Sequence, residues 1–358
     1  MTRRPRHKFC IRAFWTTIGI SLGVALVGGY LLSLPPSVTP ESERYGLAEN
    51  HATLAAPIVA ASQPFSITDA DGRPVVQDNE RAVVRLWDAT IQVLGRHTDN
   101  YPQQIGDCTS FGAKNALEYL LCVQIARDGP TAFHPVFPPF LYGVSRHQIG
   151  KNQIHGDGSV GAWVAKAVNQ YGVLAADDSG VPAYSGSIAR QWGNSGPPEQ
   201  FLTVAKDRLV KTVSPIGNAT EGRDAVCNGY PFTIASDYGS TDIKPRDGQM
   251  VARRNTRWMH QMCVIGFDGT KGRKGRFYIL NSWGPKAHPD PLNGEPPGGF
   301  WVEWEDMEYI TQQGDSWAFS DLQGFQARDL NFNVFGRKER NDRENEIRIA
   351  AHRHSLAL

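Results

Sequence analysis

The chain has 358 residues, an apolar share of 41%, and 37 basic against 36 acidic side chains for a formal charge of +1, enough material for one large or two modest domains with a real core. So even a balance makes no field to draw a polyanion, and no stripe of Lys and Arg interleaved with aromatics interrupts the body, which argues against nucleic acid as a partner. Five cysteines (Cys10, Cys108, Cys122, Cys227, Cys263) form no CxxC pair and no Cys/His ligand spacing, which argues against a metal site and a redox motif.

The chain starts MTRRPRHKFCIR, and residues 13–34 carry no charged side chain. As a helix that stretch would reach about 33 Å, enough to span a bilayer. Arg3, Arg4, Arg6, Lys8 and Arg12 precede it, and the positive-inside bias would hold residues 1–12 in the cytoplasm and place everything after residue 34 outside. The apolar run ends LLSLPPS rather than in small residues of the A-x-A kind, so it reads as an uncleaved anchor, with a cleavable signal peptide as the alternative. The body would then be membrane-anchored outside the cytoplasm, or secreted if the segment is cut. Residues 35–62, rich in Pro, Ser, Ala and Glu without a sustained period, read as a mobile linker. Residues 331–358 are dense in mixed charge and read as a solvated tail.

Between them, residues 63–330 divide into a helical part, about 100–200, and a strand-rich part, about 201–330. From Cys108, apolar residues recur at Phe111, Ala113, Ala116, Leu117, Leu120 and Val123, the spacing of a helix with one buried face. A second helix carries Trp163, Val164, Ala167, Val168 and Tyr171 and closes at Gly172. One helix-like piece, 81–94, precedes both. Apolar or alternating runs at 230–236, 260–267, 276–283 and 299–305, separated by Gly, Asp and Lys turns, predict strands of one sheet.

Cys108 follows Gly106-Asp107 and opens the long helix; a helix N-terminus favours a thiolate, the nucleophilic form. On a strand starting at His260, side chains alternate, so His260 shares a face with Met262 and Val264 while Cys263 faces away. Asn281 ends the run FYILNSWG on the side of Phe277 and Ile279. If the two strands are antiparallel neighbours, Asn281 can accept a hydrogen bond from His260 and turn its other ring nitrogen toward Cys108. Cys122, Cys227 and Cys263 are left as buried thiols or as the source of one disulfide. Asp69-Ala-Asp-Gly starts like a calcium loop but lacks the closing Glu and reads as a polar turn.

GDCTSF, HQMCVIGF and NSWG, in that order over residues 101–325, resemble the papain-like cysteine peptidases, and the IGDC stretch is similar to calpains. The resemblance implies an α+β fold in which a helical half packs against an antiparallel sheet half, with the active-site cleft between them. It implies catalytic roles for Cys108, His260 and Asn281, and a role for Trp283 in covering the His–Asn hydrogen bond. It also implies a glutamine upstream of the cysteine as a donor to the oxyanion. Gln103 and Gln104 both stand close, at a spacing shorter than the family's, and Gln103 is the first choice. The GDGSVGAW segment at 156–163 sits where the family pairs its backbone with extended substrate, which makes Gly158 and Ser159 candidates; equally, Ser159 could cap the second helix. Three departures stand out: no cysteine is placed for the family's usual active-site disulfide, a Pro-rich insertion PKAHPDPLNGEPP follows NSWG, and residues 62–99 lack the charge pattern of an inhibitory propeptide.

The expected function is therefore hydrolysis of peptide bonds, without cofactor or metal, by a monomer whose partners are a polypeptide substrate and, through its N-terminal segment, a membrane. The alternatives are a catalytically silent peptide-binding module at the cell surface, and acyl transfer to an amine, against which Asn281 in place of Asp argues.

Overall fold

The computed structural model describes residues 45–129, 132–328 and 330. The expected cytoplasmic segment, the membrane span at 13–34 and the tail at 331–358 lie outside the described residues. Among the described residues no helix is long and apolar enough to cross a membrane.

The sheet is built round one long strand. Thr256–Asp268 pairs antiparallel with Phe232–Gly239 along its first half and with Arg276–Leu280 along its second. In order, the sheet runs Thr212–Pro215, Trp317–Ser320, Phe232–Gly239, Thr256–Asp268, Arg276–Leu280, Gly299–Glu303, Gln249–Arg253, Asp242–Arg246. All these neighbours are antiparallel except Gln249–Arg253 beside Gly299–Glu303. Both faces of the central strands are buried, so FYIL and MCVIGF read as continuous apolar runs rather than alternating ones.

The helix Cys108–Asp128 packs on the long strand. The apolar stripe expected on it is buried, but so is the rest of its circumference as far as Leu120, including Lys114 and Glu118. Those two charges are tolerated because they face each other at 2.9 Å, each side chain 2% exposed. Lys114 also donates to the Asp99 carbonyl, and Glu118 accepts from the Val136 N–H at 3.0 Å. The second expected helix spans Gly161–Gln170, with Gly172 just beyond it at φ +85°.

Three expectations change. Residues read as linker contain the helix His51–Ala61, which packs on Gly161–Gln170; five alanines favour a helix strongly enough to carry Pro57, and buried His51 and Ala55 anchor it. The helix-like piece 81–94 splits into a strand, Val83–Arg85, paired with the end of Thr256–Asp268, and a helix, Trp87–Leu94. The strand-rich half also holds helices, Ala219–Cys227 and Trp304–Thr311 among them. Cys108, Cys122, Cys227 and Cys263 are free buried thiols, so the disulfide alternative does not arise among them. Asp69 closes its own turn by accepting the N–H groups of Asp71 and Arg73, each at 2.9 Å.

The Lys114–Glu118 pair yields a stability test. Lys114→Met leaves a buried carboxylate without its cation, and should cost about 3–5 kcal/mol in urea denaturation, while replacing both residues by apolar ones should cost far less. Equal losses in the single and double variants would refute the pairing.

Candidate active site

Cys108 is the first residue of its helix, and its thiol is fully buried, in contact with Leu47 and Ala235. Backbone N–H groups of Gln261, Gly46 and Thr109 favour its anion, yet loss of solvent outweighs them and pushes the thiol up to about 12. The helix N-terminus therefore does not prevail in this state. Asp107, at the helix N-cap, is likewise buried and held well above the usual carboxylate range by desolvation.

His260 lies in the long strand next to Gln261, completely buried. Its Nε2 is 2.7 Å from Asn281 Oδ1. The identity of that amide atom is fixed independently: the Ser282 N–H, which can only donate, points at it from 2.7 Å, so it is the oxygen. Nε2 of His260 therefore carries the proton. Nδ1, on the other side of the ring, is buried without a hydrogen-bond partner, the thiol included. Burial lowers the imidazole to about 4, with the Asn281 bond opposing that shift. Trp283 lies with its ring 4.7 Å from that of His260, tilted by 35°.

Gln103 and Gln104 diverge. Gln103 is 1% exposed, donates from Nε2 to the Ile105 carbonyl (2.8 Å) and accepts from Ser282 Oγ at Oε1 (2.7 Å), so it couples the loop before Cys108 to the NSWG turn. Gln104 turns away, its Oε1 accepting from the Gly186 N–H at 2.9 Å.

Gly158 and Ser159 also differ. Gly158 donates its N–H to Tyr142 Oη (2.8 Å), and its carbonyl accepts from buried Arg146, so both of its backbone groups are already engaged. Ser159 pairs instead, with the chain's own residues. Its N–H donates to Gly46 O (2.9 Å), its carbonyl accepts from Ala48 N (3.1 Å), and Leu47 lies parallel to it. The capping role open to Ser159 is filled from elsewhere. Both oxygens of Asp315 receive N–H groups at the start of Gly161–Gln170, from Gly161 at 2.9 Å and Ala162 at 2.7 Å.

Residues 45–48 thus form a strap. On its other edge, Leu47 N donates to Met259 O at 3.2 Å. Between these edges Gly46 passes so close to Gly106 that a Cβ on Gly46 would stand 1.9 Å from the Gly106 carbonyl oxygen. Tyr45 packs edge-on against His260 (6.5 Å) and Trp283 (5.8 Å). His51, at the head of the next helix, reaches Asp315 at 3.2 Å. Sequence reasoning missed the strap, Asp315 and His288, which lies 2.8 Å from Asn281 Nδ2. Gly46 and Asp315 carried no local motif, and His288 sits in an insertion that reads as a loop.

No protein-family model matches the chain, and no curated protein does. Among solved structures the chain is similar to xylellain, a cysteine protease from Xylella fastidiosa, with a TM-score of 0.51 and 18% identity over 81% of this chain and 100% of that one. It is also similar to procathepsin L 3 of the Tenebrio molitor larval midgut, with a TM-score of 0.48 and 14% identity over 85% of this chain and 88% of that one. A third is procathepsin B S9 from Trypanosoma congolense, with a TM-score of 0.49 and 13% identity over 85% and 96%. With helices packed on an antiparallel-rich sheet, the chain has the papain-like α+β fold.

Proposed function

We propose that the protein is a cysteine peptidase that hydrolyses peptide bonds through a thioester acyl-enzyme. The observation that carries this reading is the state of one imidazole: Nε2 is spent on Asn281, and Nδ1 is buried and unpartnered, on the strand against which the helix opening at Cys108 packs. A buried ring nitrogen without a partner costs stability, so its persistence calls for a role. In the proposed reaction, His260 Nδ1 takes the thiol proton as Cys108 Sγ bonds to the scissile carbonyl carbon, and then gives that proton to the departing amine. Water attacks the thioester in the second half, freeing the acid and restoring the thiol. Asn281 holds the ring in the required tautomer. The Cys108 N–H and the Gln103 amide are the proposed oxyanion donors, each worth about 3 kcal/mol. Trp283 shields the His260–Asn281 bond from water.

The substrate would lie where the strap now lies, pairing with the Ser159 backbone, while Gly158 lets it approach because a Cβ there would stand 3.2 Å from the Gly46 carbonyl oxygen. The strapped form is latent on this reading. Both the thiol and the imidazole are held neutral by burial, and the strap turns an N–H of Gly46, not a carbonyl carbon, toward the sulfur. Returning water to the cleft removes the dominant cause of both shifts. That same neutral, covered pair favours a second reading, a silent peptide-binding module in which the thiol never ionises. The basic and apolar N-terminal sequence supports placing the domain outside the cytoplasm, anchored or released; fractionation of cells followed by active-site labelling tests it.

Two variants separate these readings. Gly46→Ala cannot keep its Cβ against Gly106, so the strap must lift, and alkylation of Cys108 by iodoacetamide should accelerate by about tenfold or more. A rate equal to that of the native chain would refute strap control, and a thiol that stays inert with the strap lifted would favour the silent module. In the lifted background, Cys108→Ala should lower peptide cleavage by at least about a thousand-fold. Cleavage that survives it would overturn the assignment.

A further inference from the structure

We propose that His288 is a positioning residue: in the tautomer protonated at Nδ1 it accepts a hydrogen bond from Asn281 Nδ2 and so holds the carboxamide oxygen on His260. The inference deepens the peptidase reading and rests on it for its catalytic meaning, but the geometry stands by itself. Asn281 is fully buried, and its Oδ1 is identified by the Ser282 N–H at 2.7 Å. The other end of the amide, Nδ2, then faces His288 Nε2 at 2.8 Å. An amide nitrogen donates only, so the imidazole nitrogen opposite must present its lone pair.

A chain of fixed polarity follows. The His288 proton is on Nδ1, Asn281 Nδ2 donates to His288, Asn281 Oδ1 accepts from His260 Nε2, and His260 Nδ1 is left as the basic site. Without an acceptor at 288, a turn of the carboxamide that brings Nδ2 to His260 costs less, and that arrangement sets donor against donor. The ring at 288 is itself held. Trp258 lies almost parallel to it (6.1 Å, 22°), Phe300 meets it edge-on (4.9 Å, 90°), and Trp283 is 5.9 Å away. The Pro-rich insertion thus returns a side chain to the site, which a simple surface loop would not do.

The test uses the full chain labelled with 15N-histidine and two substitutions. His288→Phe keeps an aromatic ring but offers no acceptor, whereas His288→Gln offers a carbonyl. The native spectrum should show His288 protonated at Nδ1 and bare at Nε2. The His260 Nε2–H signal should shift or broaden in the Phe variant and keep its position in the Gln variant. With the strap lifted by Gly46→Ala, kcat should fall about tenfold in the Phe variant at unchanged KM, and recover in the Gln variant. A native proton on His288 Nε2, or a His260 signal indifferent to His288→Phe, overturns the proposal. If no form cleaves peptides, the peptidase reading fails while the imidazole spectra still decide the role of His288. Should the Phe variant not fold, the native tautomer and the Gln variant decide it.

Discussion

The hydrogen bond from His260 to Asn281 exists because of a register. Cys263 pairs with Leu280 across two antiparallel strands, so the next residue, Asn281, stands opposite Met262 and shares its face. His260 lies on that same face, two residues further along, a diagonal neighbour within reach of a side-chain contact. A slip of one residue would send Asn281 to the other face and leave the imidazole without its orienting group. The register is therefore set by bulk rather than by chemistry. Met262, Val264, Phe277 and Ile279, with their neighbours on both faces, are buried, and shifting them would expose or clash a whole row. Gly266 at the strand irregularity yields to Trp87, whose ring would lie 2.6 Å from a Cβ there.

Burial governs the charge state of both Cys108 and His260. A thiolate and an imidazolium are each disfavoured in a region without water, and together they stabilise one another only when close and unobstructed. Here the sulfur is surrounded by Leu47, Ala235 and three backbone N–H groups, while His260 Nδ1 has no partner. Both groups accordingly rest neutral. The same protein surfaces, opened to solvent on one side, would present a cysteine at a helix start and a basic nitrogen already in the right tautomer.

Much of this was legible in the order of residues. The helix from Cys108, the strand of His260 and the strand ending at Asn281 all carry periodicity or continuous apolar runs, and NSWG added a motif dense enough to place. The preference for Gln103 over Gln104 rested on likeness alone, whereas their surroundings separate them: one is buried against Ser282, the other bound to Gly186 at the rim. What escaped the sequence had no local signature. Lys114 and Glu118 look like a solvated pair on a helix, and only the packing of other elements over them makes them interior. Ala-rich residues from His51 look like linker because Pro57 interrupts them, and the contact with Gly161–Gln170 that decides the matter is distant in sequence. The insertion holding His288 carries five prolines and reads as a loop, and its return to Asn281 depends on Trp258 and Phe300, residues on two other strands.

Asp315 ties the helix behind the strap to the helix that follows Ser159. Its carboxylate is fully buried, and burial alone would raise its pKa and cost stability. That cost is offset by donors from three directions: the Gly161 and Ala162 N–H groups, the Trp317 indole at 2.9 Å and the His51 ring. The first two are the free N–H groups that every helix start must satisfy, here belonging to the helix that follows Ser159. The last belongs to the helix that follows the strap. One side chain therefore fixes the position of the Ser159 backbone and, four residues from Leu47, the root of the segment that pairs with it. A strap anchored by its own contacts alone would hold four residues in place at a large entropic cost. Anchored through His51 and the helix behind it, the strap inherits the order of the domain core, to which two hydrogen bonds to Ser159 and one to Met259 add.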